Sequence, residues 1–200
     1  MIKDCKWETT LYKKYSGIEY MNNCDKKKLY KLRDSISLDP KDIPGENNDY
    51  SYALGLTVPK SEILPASYIP GIIGAAIKGI SIDKLLSMKD EERLFLDLEA
   101  LDIEYSKCSV FCDSPSEVID GYLKWVIAMY EKIYRYHDLH FLRREKDGRW
   151  SHKIGIFREP FRTNCESEPI TDISDNNFQL EEELFIDYDF LGSYELKLRR

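Results

Sequence analysis

The chain has 200 residues, 42% hydrophobic and 32% charged, which is enough to bury the core of a single domain. Its net charge of −7 and pI near 5.1 lack the basic footprint of a nucleic-acid binder, and no apolar run approaches the ~20 residues of a membrane span. Five cysteines at no framework spacing (Cys5, Cys24, Cys108, Cys112 and Cys165) fit a reducing, intracellular setting, although delivery elsewhere after synthesis is compatible with them.

Residues 1–20 alternate weakly (Trp7, Thr9, Leu11, Tyr12), too weakly to assign, and this polar, charged start is not expected to be a signal peptide. KKKLYKLRDS predicts a short helix with Asn23 or Asp25 as its N-cap, and Lys26, Lys27 and Lys28 read as its solvated face. LDPKDIPGENN is a loop. In DYSYALGLT, Asn48 or Asp49 caps a second short helix. Tyr52, Ala53 and Leu56 point inward, and Gly55 ends the helix or admits a close backbone. Pro70-Gly71 marks a turn before IIGAAIKGI, a buried connector or short helix. Ser81 caps SIDKLLSM and Asp90 caps EERLFLDLEAL, whose Leu94, Leu98 and Leu101 form one apolar face. Ser114-Pro115 signals another short helix, with Pro at its first position. LKWVIAMY, at 123–130, reads as a buried strand.

Residues 137–155, HDLHFLRREKDGRWSHKIG, carry a β-hairpin signature: two alternating runs around Lys146-Asp147-Gly148. With a three-residue loop, Glu145 pairs with Arg149. His140 and His152 then become diagonal neighbours on one face, roughly 7–8 Å apart at Cα. A one-residue slip would split them across the sheet. PITDI, a polar loop and ELFIDYDFLGSYELKL follow, the last as one or two closing strands. The 14 tyrosines also favour a sheet-rich fold. The expected class is α+β in one domain, with a helical half over about 20–120 packed on an antiparallel sheet over about 122–198.

A helix start early in the chain and a His-bearing hairpin late in it suit Cys–His chemistry. The helix start lowers a thiol pKa, a strand His acts as base, and a polar neighbour orients the His. Residues 48–197 resemble a group of small bacterial and viral proteins with a recurring frame: N-C-Y-A-Y-A-L, P-G, then D-Y-H-x-Y-R-Q-x-x-D-G-x-W-S-H-K-x-G, T-N-x-D, I-x-D and an aromatic-rich strand. Here the frame is Asn48 to Leu54, Pro70-Gly71, Asp138 to Arg143, Asp147 to Lys153, Thr163-Asn164, Ile170 to Asp172 and Tyr188 to Tyr194. That group looks like the NlpC and CHAP types of papain-like cysteine hydrolase. The resemblance implies a papain-like fold, His140 as base, His152 or Asp172 as its orienting partner, and Tyr50 and Trp150 as substrate-binding residues.

One position departs from the frame. Where it has Cys, this chain has Asp49, a comfortable helix-start residue but a far weaker nucleophile toward an amide than thiolate. The expectation is a hydrolase-fold protein that has lost its nucleophile and acts by binding or assembly through the inherited cleft, with a peptide or protein as partner. The alternative is an active amidase or peptidase that uses Cys24 or another nucleophile with His140 and His152. Other candidates have blander readings. His137 is a loop residue and Asp172, taken alone, a turn residue. His137, His140, His152 and Cys165 lack the paired short spacings of a zinc module, so no metal or cofactor is expected. Cys108 and Cys112 are wrongly spaced for a redox C-x-x-C and read as two small buried residues. Arg143 and Arg144 read as solvated strand-edge charges.

Overall fold

A computed structural model of the chain describes residues 26–43, 47–57, 69–109, 112–132, 139–154, 159–163, 168–171, 173 and 188–200. Among the described residues five short helices precede the strands: α1 Lys26–Asp34, α2 Asp49–Leu54, α3 Ile72–Lys78, α4 Ile82–Leu86 and α5 Asp90–Ala100, with a 3-10 turn at Pro40–Asp42. Six strands follow: β1 Ile103–Lys107, β2 Glu117–Ile119, β3 Tyr122–Lys132, β4 Leu139–Arg144, β5 Trp150–His152 and β6 Tyr188–Arg199. They form one antiparallel sheet in the order β1-β6-β3-β4-β5, and β2 shares with β4 the edge of β3 opposite β6. Helices ahead of an antiparallel sheet make this an α+β arrangement. No described helix is long and apolar enough to cross a membrane.

The central strand β3 is buried on both faces over Trp125 to Tyr130, which explains why WVIAMY is apolar throughout rather than alternating. Trp125, Ile127 and Met129 of β3 face the helices and pack with Phe141, Leu196 and the buried leucines of α2 and α5. Val126, Ala128 and Tyr130 face the other way, into a second cluster with Leu142 and Trp150.

Three sequence expectations need correction here. Ser114-Pro115 opens no helix. The chain instead enters β2, which turns back into β3 through Asp120-Gly121, with φ of 48° and 80°. Two residues at positive φ make the primed turn that matches strand twist, and Asp-Gly is its preferred dipeptide. The sheet therefore begins at Ile103, well inside the expected helical half. β1 escaped notice because only Ile103 of its five residues is buried, which leaves no alternation to read. Asp90 is the first helical residue of α5 rather than its cap. Lys89 holds the cap position, its backbone N–H donates to Glu92 Oε2 at 3.3 Å, and Asp90 pairs with Arg93.

α3 lacks a side-chain cap of its own because Gly71 stands at its N-cap. Asp97 of α5 supplies the missing acceptors: Gly71 N–H donates to its Oδ2 at 2.7 Å and Gly74 N–H to its Oδ1 at 2.8 Å. The Tyr50 hydroxyl donates to the same carboxylate at 2.7 Å, so one buried acid joins α2, α3 and α5. Burial pushes the Asp97 pKa up to about 7 against the opposing pull of these hydrogen bonds.

Candidate active site

α2 has six residues, too few for a helix to persist alone in water. Local chemistry sets its ends. Asn48 is extended and its side chain accepts from Ser51 N–H at 2.9 Å. Gly55 closes the helix at φ 74°, donating to the carbonyls of Ser51 and Tyr52. A Cβ at Gly55 would also collide with the Ser37 carbonyl, so glycine serves both the turn and the close approach. Packing supplies the rest, since Tyr50 through Leu54 are all buried.

β4 and β5 meet in the register Leu142↔His152, Arg143↔Ser151 and Arg144↔Trp150. Glu145 N–H donates to the Arg149 carbonyl at 2.7 Å and Gly148 N–H to the Glu145 carbonyl at 3.0 Å, closing a three-residue loop. His140, two residues before Leu142, is thus the diagonal neighbour of His152. Their rings meet edge to face, with His140 Nε2 at 3.2 Å from His152 Nδ1. β5 ends at His152. Just beyond that end the Phe141 N–H donates to Asp49 Oδ2 at 3.1 Å, and the same oxygen lies 3.0 Å from His140 Nδ1. At the other end of the chain of contacts, His152 Nε2 lies 3.1 Å from the Thr163 carbonyl oxygen.

These contacts fix where the protons sit. A carbonyl can only accept, so His152 carries its hydrogen on Nε2 and donates it to Thr163. Burial, helped by the neighbouring His140, pushes the His152 pKa down to about 3 and keeps the ring neutral at pH 7, leaving Nδ1 an acceptor. His140 must then donate from Nε2. Its Nδ1 faces Asp49 Oδ2 at 3.0 Å, within hydrogen-bonding distance of the carboxylate. The Asp49 side chain is 17% exposed and that of His140 7%, so the pair is reached from the Asp49 side.

One helical turn after Asp49, Tyr52 makes a second junction with the hairpin. Its hydroxyl lies 2.8 Å from Ser151 Oγ and donates to Glu145 Oε1 at 3.1 Å, while Ser151 Oγ donates to the same oxygen at 2.5 Å. Burial first, and then the Glu145 charge, push the Tyr52 phenol well above its usual range, so it remains a hydroxyl. Arg143 lies alongside, fully buried, donating from Nη1 to the Ser37 carbonyl at 3.0 Å. Its expected role as a solvated edge charge is therefore wrong. Arg144 also turns inward, its guanidinium 5.5 Å from the centre of the Trp150 ring.

The structure brings Asp49, His140 and His152 together. Asp172, Cys24, His137 and Cys165 lie outside the described residues. Tyr50 and Trp150, expected to touch substrate, are core residues instead, each 1% exposed. The 3.6-residue period of α2 turns Tyr50 onto the Phe141 ring, 4.8 Å away, and the strand alternation turns Trp150 into the second cluster. Sequence reasoning placed Thr163 in the recurring frame but gave it no role, because it acts through its backbone carbonyl and so leaves no side-chain signal. It also missed the junction of Tyr52 with Ser151 and Glu145, for which the three-residue step from Asp49 to Tyr52 was the available hint. Among the described residues no group of three His, Cys, Asp or Glu side chains is placed to hold a metal ion. Comparison with protein-family models, with curated proteins and with solved structures finds no match to this chain.

Proposed function

We propose that this chain is a papain-like hydrolase-fold protein in which Asp49 occupies the position of the nucleophilic cysteine, and that it acts by binding a peptide or protein partner at the cleft beside it. The reading is supported above all by one contact: the first residue of α2 meets His140 Nδ1 at 3.0 Å, where a thiol would need its base. The order of partners adds weight, with His152 behind His140 and a carbonyl behind His152. A carboxylate in that place pairs with the imidazole instead of attacking an amide, so the site holds its shape and loses thiol chemistry.

Asp49→Cys tests the proposal. The introduced thiol should react with iodoacetamide at neutral pH about tenfold or more faster than an unperturbed thiol, and the excess should vanish when His140→Ala is added. An introduced thiol of ordinary reactivity, indifferent to His140, would contradict it. Fast labelling of Cys24 in the unaltered chain, lost on Cys24→Ala, would replace it with an active hydrolase.

A further inference from the structure

The two imidazoles and α2 lie on opposite faces of the sheet. Phe141 packs with the helices, whereas Leu142 turns into the second cluster and stands opposite His152 in the register. Strand alternation therefore puts His140 and His152 on the face away from α2, with Arg143 and Ser151 on the face toward it. Asp49 reaches His140 by passing the edge of β4 beyond the end of β5, where it also takes the Phe141 N–H. Their contact at 3.0 Å thus depends on where α2 rests on the sheet.

One hydrogen-bonded group fixes that resting place. Tyr52, one turn after Asp49, meets Ser151 Oγ at 2.8 Å and Glu145 Oε1 at 3.1 Å, and Ser151 Oγ donates to the same Glu145 oxygen at 2.5 Å. Ser151 immediately precedes His152, and Glu145 opens the hairpin loop. All three side chains are buried, Glu145 at only 3% exposure. A carboxylate enclosed in this way is costly, and apolar side chains of similar volume would serve stability as well or better. What it supplies is direction, since two hydroxyls must converge on one oxygen whereas apolar surfaces can slide.

We propose that Glu145 is a positioning residue for the Asp49–His140–His152 site, acting through Tyr52 on α2 and Ser151 on β5. The inference rests on the reading that Asp49 and His140 form the site. Glu145 Oε1 is the acceptor the two elements share, so its loss lets α2 shift sideways on the sheet and draws Asp49 back from the edge of β4.

Three variants of the full chain test this. Glu145→Gln keeps a carbonyl oxygen for both hydroxyls, Glu145→Met keeps the volume without the acceptor, and Tyr52→Phe removes one hydroxyl alone. Each is read by nitrogen-15 NMR of the His140 ring, and again beside Asp49→Cys by the iodoacetamide rate of the introduced thiol. Glu145→Met and Tyr52→Phe should shift the His140 resonances and slow the thiol about tenfold or more, because a misplacement of about 1 Å is enough. Glu145→Gln should leave both readouts near those of the parent. His140 resonances and thiol rates unmoved by Glu145→Met and Tyr52→Phe would overturn the proposal, as would Glu145→Gln behaving like Glu145→Met. A slow thiol in Asp49→Cys alone counts against the reading of the site instead, and the His140 resonances then decide the role of Glu145. Circular dichroism checks that the variants fold, and Tyr52→Phe decides the matter if Glu145→Met does not.

Discussion

Asp49 Oδ2 and His140 Nδ1 stand 3.0 Å apart where the first turn of α2 meets the open end of β4, and the same oxygen also takes the Phe141 backbone N–H. The carboxylate thus does two jobs at once. It satisfies a strand donor that β5, ending at His152, does not reach, and it holds an imidazole whose other nitrogen is already committed to His152. A cysteine could take over the second task but would accept the Phe141 N–H only weakly. Asp49→Ala is therefore expected to lower stability by about 1–3 kcal/mol, with the loss read from urea unfolding midpoints.

The buried His152 makes stability depend on pH. Its pKa is about 3 in the folded chain against an ordinary 6.5, so between those values the unfolded state binds the extra proton. Its contribution is complete above 6.5 and is lost as pH falls toward 3, at up to about 1.4 kcal/mol per pH unit. His152→Gln should flatten the fall in urea midpoint between pH 6.5 and 4 relative to the unaltered chain. An unchanged slope would show that His152 titrates freely.

Asp97 has the opposite sign. Its pKa is raised to about 7 from 3.8, so the folded state binds the proton first, and its contribution is complete below 3.8 and lost as pH rises through 7. Asp97→Ala removes the acceptor of Gly71, Gly74 and Tyr50 together. The expected loss is about 3 kcal/mol or more, because three buried donors lose their partner. A melting series of Asp97→Ala and Asp97→Asn checks this, and both should fall, since the Asn amide turns a donor toward an N–H.

Gly55→Ala is expected to destabilise by about 2 kcal/mol or more, because alanine resists φ 74° and its Cβ meets the Ser37 carbonyl. Thermal unfolding reads the effect. A neutral outcome would mean that α2 does not end where Gly55 places it.

Much of the fold was legible where local chemistry and burial agree. Gly148 and the alternation on either side of it place His140 diagonal to His152, and Asn48 with Gly55 bounds α2. Legibility failed where a residue's chemistry is turned against its usual environment. Arg143 carries a charge and reads as surface, yet it is enclosed between β4 and the Ser37 carbonyl. Tyr50 is amphipathic and adjacent to Asp49, so it reads as a site residue, but its hydroxyl finds Asp97 inside the core. The Ser114-Pro115 pair imitates a helix start, and the stronger Asp120-Gly121 hairpin signal a few residues later prevails. The Thr163 carbonyl could not be foreseen from residue types at all.

The continuous hydrogen-bonded line from Asp49 through His140 and His152 to Thr163 is best tested by nitrogen-15 NMR of the imidazole rings in the unaltered protein. The account predicts a neutral His152 with its hydrogen on Nε2 from pH 5 to pH 8, and a His140 spectrum that shifts on Asp49→Asn. A His152 that titrates near its ordinary 6.5, or a His140 indifferent to residue 49, would contradict it.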